Sequence, residues 1–401
     1  MKVAAVFLGQ GPTAGGGYTF QKEILNALAG AAKGSGHEYC VLYPEDADAA
    51  IRDLISGSPI ESAAYSAPGL LERSCSALLR EFPAANRLWS KPGFLDRAAR
   101  GVSADIFWFL GAGAPTEPDL PYLTVVWDIE HRVQPWFPEF GGRREWHIRE
   151  TAYRRFLQRA TYVITGTECG RAEIERFYGT SPARVRKLPH PTPSFALAAP
   201  REGDPNTLEK FSLSPGYLLY PAQFWPHKNH VNLLAALRVL KERDGIEPVL
   251  VLVGSDKGNR SFVERKAAEW GLQRQVRILG FVSESDLFQL YRQAAALTYV
   301  SFGGPENLPP LEAFAIGCPV LAARVEGAPE QLGDAALLVN PAAPADIAEG
   351  VKRLLGDPEL RDVLRERGRV RAGAWTALDF VHGVFKLLDE FEPISATWQR
   401  S

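Results

Sequence analysis

Three stretches of this chain carry residue types and spacings suited to holding an anion or a polyol. The richest runs Ser301-Phe302-Gly303-Gly304-Pro305-Glu306-Asn307-Leu308-Pro309-Pro310-Leu311-Glu312 and on to Val320. Its glycines leave backbone amides open to close approach, and the apolar run from Leu308 reads as a helix whose positive end faces that loop. Glu312 then lies one turn inside the helix, where a carboxylate with acceptor-only oxygens can take hydroxyl hydrogen bonds. In Tyr220-Pro221-Ala222-Gln223-Phe224-Trp225-Pro226-His227-Lys228-Asn229-His230, Lys228 precedes a helix expected from Val231 to about Arg243. A cation at a helix N-terminus is unfavourable unless an anion joins it there. The third stretch, Gly9-Gln10-Gly11-Pro12-Thr13-Ala14-Gly15-Gly16-Gly17-Tyr18-Thr19-Phe20, is a glycine-rich turn that opens a helix, with Gly16 and Gly17 at its start. Gly9, Gly11 and Ala14 fit the dinucleotide pattern G-x-G-x-x-A, yet no acidic residue ends a second strand about 20 residues on. Each stretch also has a plainer reading, as a tight turn, a solvated helix glutamate or a surface lysine.

Two further clusters carry charge. Val125-Val126-Trp127-Asp128-Ile129-Glu130-His131-Arg132 follows a strand and places Asp128 and His131 near its carboxyl end, where ligands of open α/β sheets bind. A satisfied structural histidine is the other reading of His131. Residues 141–160 read as a helix bearing Arg143, Arg144, Arg149, Arg154, Arg155 and Arg159 among Trp146, Ile148, Phe156 and Leu157. Such a helix fits an anionic membrane surface, an anionic ligand or simply a solvated face.

The elements that must position these residues follow an α/β grammar. Apolar runs at 3–8, 39–43, 106–110, 123–127, 161–165 and 185–188 alternate with helical patterns at 20–28 and 168–178. This alternation implies parallel strands with helical crossovers. Pro189, Pro191, Pro193, Pro200, Pro205 and Pro215 then form a connector. The grammar restarts with strands expected at 217–220, 248–253 and 276–279; Val253-Gly254-Ser255 ends one of them. From about Asp346 the pattern is helical, with a final helix at 380–391.

At 401 residues the chain is longer than one core usually supports, so two domains are expected. Apolar residues at 46% and charged residues at 23% place it with globular proteins. A net charge of −2 excludes a global field toward nucleic acid, so any anion site is local. Cys40, Cys75, Cys169 and Cys318 form no C-x-x-C pair, which argues against a zinc site or disulfide framework and fits a cytoplasmic protein. The start, Met1-Lys2-Val3-Ala4-Ala5-Val6-Phe7-Leu8, reads as a strand rather than a signal peptide, and no run of about 20 apolar residues spans a bilayer.

The stretch from Ser301 to Val320 resembles the donor-site signature of the GT-B glycosyltransferases of glycosyltransferase family 4, and the resemblance covers nearly the whole chain, strongest over 217–341. It implies an α/β, GT-B fold of two Rossmann-like domains facing a central cleft. Residues 1–195 would form the acceptor side, 196–375 the nucleotide-sugar side, and 376–401 a helix crossing back to the first domain. Glu312 would bond the ribose hydroxyls. Lys228 matches the lysine of G-R-x-x-x-x-K-G, with Gln223 in the arginine's place. Gly304 stands where the first glutamate of E-x7-E belongs, and Glu306 is its nearest substitute. Asn307 and Leu308 complete the donor loop, Gly280, Phe281 and Val282 would hold the base through main-chain groups, and Gly254, Gly16 and Gly17 are further donor-binding candidates. His131, Asp128, Lys228 and Glu306 are the catalytic candidates, although Trp127 occupies the site of a histidine common in relatives.

The activity implied is a retaining, mannosyltransferase-like transfer of a hexose from a GDP- or UDP-sugar to a glycan or lipid-linked acceptor in bacterial surface polysaccharide synthesis. In such enzymes the departing diphosphate takes the acceptor proton during front-face attack. No cofactor is expected, and the absence of a D-x-D pair predicts metal independence. Peripheral contact at the inner face of a membrane is a further expectation. A GT-B nucleotide-sugar epimerase and a non-catalytic nucleotide- or glycan-binding protein are the alternatives.

Overall fold

A strand flanked by helices on both faces must be apolar along its whole length, and the short unbroken apolar runs of this chain become the strands of two parallel sheets. A computed structural model describes residues 1–9, 11, 15–66, 93–113, 118–198 and 207–398. Gln10, Pro12, Thr13, Ala14, Cys75, Pro200 and Pro205 lie outside the described residues. Two compact units result: Met1–His131 with Arg143–Leu188 and Ala377–Ser401, and Arg132–Gly142 with Pro189–Thr376.

The first unit holds β1 (Lys2–Val6), β2 (Glu38–Pro44), β3 (Glu61–Tyr65), β4 (Ile106–Ala112), β5 (Tyr122–Val125), β6 (Tyr162–Thr165) and β7 (Val185–Lys187). They pair in the order β3-β2-β1-β4-β5-β6-β7, all parallel. Phe107, Trp108 and Phe109 of β4 are fully buried, as a central strand requires. The helix Ala377–Ser395 belongs to this unit and packs Phe380 edge-on against Phe20 of the helix Gly16–Ala31, ring centroids 5.3 Å apart. Asp389 of the same helix pairs with His37 at 3.1 Å.

The second unit holds β8 (Leu218–Pro221), β9 (Leu250–Val253), β10 (Val276–Gly280), β11 (Ala296–Tyr299), β12 (Val320–Ala323) and β13 (Ala336–Val339), in the order β10-β9-β8-β11-β12-β13. Leu218 of β8 faces Leu250 of β9 on one side and Ala296 of β11 on the other. The chain therefore winds outward in both directions from β8 and β11. The loops at 222–229 and 300–307 leave the same carboxyl edge beside each other at this switch point, the usual place for a ligand in an open α/β sheet.

Sequence reading and structure differ at particular elements. β11 was not foreseen because Ala-Leu-Thr-Tyr is only 4 residues long and runs directly into the glycine loop. β3 reads Glu-Ser-Ala-Ala-Tyr and is mostly solvent-facing at a sheet edge, so no apolar run announces it. The helix after Lys228 runs from His230 to Val239 and ends in a π turn over Leu240–Asp244. Among the described residues no helix is long and apolar enough to cross a membrane.

Phe380 is fully buried, so Phe380→Ala should cost about 3–5 kcal/mol through lost contact and an unfilled cavity. Urea unfolding followed by far-UV circular dichroism checks this, and an unchanged midpoint would show that the C-terminal helix contributes little to the first unit.

Candidate functional site

At the switch point of the second sheet, one lysine lacks a counter-charge among the described residues. Lys228 ends the short 3-10 helix Pro226–Lys228, and its Nζ donates to Tyr299 Oη at 3.0 Å from above the edge of that ring. Tyr299, the last residue of β11, donates in turn to Asn307 Oδ1 at 2.9 Å, and Asn307 Nδ2 donates to Gly304 O at 2.9 Å. Among the described residues Lys228 has no carboxylate partner. The cation is thus tied, through two hydrogen bonds, to the N-cap of the helix Leu308–Ile316, the positive end of that helix dipole.

The Lys228 loop is pinned by its neighbours. Asn229 adopts φ 59°, and its buried amide donates to Val300 O at 2.9 Å and Pro341 O at 2.8 Å. Tyr220 Oη donates to Lys228 O. The remaining polar residues of the loop point elsewhere. Gln223, at the expected arginine position, accepts from Trp225 Nε1 at 3.0 Å and donates to Ser255 Oγ at 3.3 Å. His230 is stacked on Phe224, and burial drives it down to about 3, so its imidazole is neutral. Arg260 pairs with Glu264.

The helix offers fewer amides than its sequence first implies. Of the first four positions, Asn307, Leu308, Pro309 and Pro310, the prolines have no N–H, and Asn307 N donates to Gln331 Oε1 at 3.0 Å. Leu308 N–H is the one left without a protein acceptor among the described residues. The anion-binding strength of this helix end therefore rests on one amide, the dipole and Lys228.

The two glutamates are both buried. Glu312 Oε2 accepts from Tyr291 Oη at 2.7 Å, which fixes the carboxylate one turn inside the helix. Glu306 Oε1 accepts from His190 N at 2.9 Å, with His190 Nδ1 3.7 Å from Oε2. Burial lowers His190 to about 4, so it does not neutralise this carboxylate. Gly304 has φ +94°, and a Cβ there would meet Asn307 Oδ1 at 2.9 Å. A glutamate at 304 would be strained and would break the Tyr299–Asn307–Gly304 chain.

On the far side of β8, Gly254 follows β9, with its N–H donating to Gly280 O at 2.8 Å; a Cβ at 254 would meet Ala222 O at 2.4 Å. Gly280 ends β10, Phe281 is 63% exposed and Val282 is partly buried. Gly254 lies past the carboxyl end of β9, and Phe281 and Val282 past that of β10.

Segment Arg132–Gly142 also belongs to this unit. Glu139 Oε1 accepts from His227 N at 2.9 Å and contacts His227 Nδ1 at 2.5 Å. Burial alone would raise the Glu139 carboxyl, but these bonds hold it below the ordinary carboxylate value. Nothing in the sequence connects Glu139 with His227, and Tyr299 was missed with β11; an aromatic hydroxyl closing a strand before a glycine loop was the available signal for the latter.

In the first unit, Gly16 and Gly17 begin the helix Gly16–Ala31, capped by Gly15 without a side-chain hydrogen bond. Gln21 of that helix donates to Gly17 O at 3.3 Å and accepts from Leu8 N at 2.9 Å, tying the helix start to the end of β1. Asp128 is half-buried, accepts from Arg149 Nη2 at 2.6 Å and from Glu130 N at 3.0 Å. Burial would raise its carboxyl, and Arg149 outweighs that and holds it below the usual range. His131 departs from the expectation of a substrate-facing group. It is fully buried, with Nε2 2.9 Å from Tyr178 Oη and 3.3 Å from Glu150 Oε2 and its ring edge-on to Tyr153. Burial first, and then Arg149, lower it to about 4. In this arrangement His131 packs against Tyr153 and lies within hydrogen-bonding distance of Tyr178 and Glu150.

His131, His190 and His230 are all held below the ordinary histidine value of 6.5, to about 4, 4 and 3. The unfolded chain then takes up protons first as pH falls, so their stabilising share is complete above pH 6.5 and shrinks below it. The expected slope between pH 6.5 and pH 4 is about 1.4 kcal/mol per pH unit for each histidine. Denaturant unfolding at pH 7 and pH 5 reads it, and equal stability at the two would contradict the neutral, buried assignment.

Residues 209–371 match the family model for glycosyl transferases group 1. The O-antigen chain mannosyltransferase B of Escherichia coli is 30% identical over 242 residues, which is 59% of this chain and 62% of that protein. The chain spans 50–62% of the length of the first curated relatives it matches. Among solved structures, sucrose-phosphate synthase from Thermosynechococcus elongatus matches with a TM-score of 0.74 at 20% identity, over 98% of this chain and 99% of its own. Anabaena HepE, solved with UDP and glucose, matches with a TM-score of 0.68 at 15% identity, over 97% and 100%. Both likenesses speak for the fold. Residues 209–371 thus match the glycosyl transferases group 1 family model, on a chain whose two parallel-sheet α/β units have the GT-B fold.

Proposed function

We propose that this protein is a retaining glycosyltransferase that moves a hexose from a UDP- or GDP-sugar to a glycan or lipid-linked acceptor in bacterial surface polysaccharide synthesis. The observation that carries this reading is Lys228, a cation without a carboxylate partner among the described residues, held against the N-terminus of the helix Leu308–Ile316. A diphosphate there turns an unfavourable charge–dipole contact into a favourable one. The similarity to a mannosyltransferase and to a protein solved with UDP and glucose supports the substrate class.

The roles follow from the chemistry of each group. Lys228 and Leu308 N–H stabilise the leaving diphosphate, whose oxygen takes the acceptor proton, and this electrostatic contribution dominates the rate. Glu312, held by Tyr291, accepts from ribose hydroxyls. Glu306 takes the sugar-holding place that Gly304 cannot fill, and the loop amides at Asn307 and Gly304 shape the pocket around it. Gly280, Phe281, Val282 and Gly254 receive the base. On the acceptor side Asp128, kept ionised by Arg149, is the group that meets a hydroxyl, with His131 as its packed support. Gly16 and Gly17, which begin the helix Gly16–Ala31, supply a helix N-terminus to the donor. Arg143, Arg144 and Arg159 form an exposed basic face that suits peripheral contact with anionic lipid.

A panel of UDP- and GDP-hexoses with oligosaccharide acceptors tests the proposal, reading nucleoside diphosphate released and product anomer by NMR. Activity with one donor family, retention, and survival in chelator are expected. Lys228→Ala should lower kcat about 10²-fold or more, whereas Glu312→Ala should act mainly by raising KM. Turnover of the donor without an acceptor into an epimer, or full activity in Lys228→Ala, would overturn it.

A further inference from the structure

The segment Arg132–Gly142 leaves the first unit after His131, joins the second unit, and returns at Arg143. Within the second unit it grips both loops of the switch point. Gln134 Nε2 donates to Phe302 O at 2.7 Å, and the rings of Phe137 and Phe302 lie 5.6 Å apart. Phe140 lies 4.7 Å from the His227 ring, and Phe302 N donates back to His227 O at 2.8 Å. At its centre Glu139 accepts the main-chain N–H of His227, the residue before Lys228, with 6% of its side chain exposed. Its second oxygen is buried without a partner among the described residues. A buried, half-satisfied carboxylate costs stability, and its negative charge opposes any anion bound at the neighbouring lysine. What it supplies is geometry.

We infer that Glu139 is a positioning residue that holds Lys228 in place for a nucleoside diphosphate through the main chain of His227; this rests on the donor-site reading above. It fixes the 3-10 turn Pro226–Lys228 from one side while Tyr220 and Asn229 fix it from the other. The lysine then meets the phosphate without first losing the freedom of its loop.

Calorimetry on the full chain with UDP, GDP, uridine and guanosine tests this, using wild type, Glu139→Ala, Glu139→Gln, Lys228→Ala and the Glu139→Ala/Lys228→Ala pair. Glu139→Ala should weaken the diphosphate about tenfold and leave the matching nucleoside unchanged. In the Lys228→Ala background it should add no further loss, because the two act as one unit. If Glu139→Ala does not fold, Glu139→Gln, which keeps an acceptor for His227 N–H, should still lose roughly threefold for the diphosphate alone. Unchanged or tighter diphosphate binding, equal loss for the nucleoside, or additive losses in the pair would each overturn the inference. A wild type that binds neither diphosphate removes the donor-site reading as well, whereas wild-type binding that is indifferent to Glu139 removes this inference alone.

Discussion

A lysine facing the positive end of a helix is stable only if something negative comes between them, or if its loop is held so firmly that the repulsion is tolerated. In this protein the second condition is met by the fold. Lys228 is bracketed by Tyr220 and Asn229, whose side chains anchor the loop to its own sheet, and by Glu139 from the inserted segment. The first condition is left open, since Nζ reaches only a tyrosine hydroxyl among the described residues. The winding of the sheet outward from β8 and β11 is what brings the two loops to one edge. Strand order thus places charge where side-chain chemistry alone would not.

This arrangement also explains why the site can depart from the family pattern at two positions. Gly304 adopts a backbone angle closed to glutamate and lends its carbonyl to Asn307, so the loop gains order where it loses a side chain. Gln223 is spent on Trp225 and Ser255, and Pro309 and Pro310 remove two donors from the helix start. Fewer cations and fewer amides concentrate the burden on Lys228 and Leu308. In the first unit the logic differs: Asp128 is kept ionised by Arg149, and His131 is sealed among Tyr153, Tyr178 and Glu150.

Much of the fold could be read from the chain because parallel strands are buried on both faces and so announce themselves as apolar runs, as at Ile106–Ala112 and Leu250–Val253. The helix Glu168–Tyr178 was legible as a helical pattern between two apolar runs. Edge and very short strands were not, because Glu61–Tyr65 and Ala296–Tyr299 lack the length or the apolarity that periodicity needs. The positions of Lys228, Gly304, Asn307, Leu308 and Glu312 on loops and a helix start followed from local signals. Their mutual connections did not, since Tyr299 and Gln331 reach Asn307 across 8 and 24 residues and Glu139 reaches His227, next to Lys228, across 88. His131 shows the converse, because a polar residue after a strand has the same sequence signature whether it faces a ligand or the core.

The measurement that bears most directly on this account is a crystal structure of the protein with UDP or GDP bound. The account predicts the diphosphate against the N-terminus of the helix Leu308–Ile316, with Lys228 Nζ and Leu308 N within hydrogen-bonding distance of its oxygens and the ribose on Glu312. A diphosphate bound elsewhere, with Lys228 still directed only at Tyr299, would contradict it.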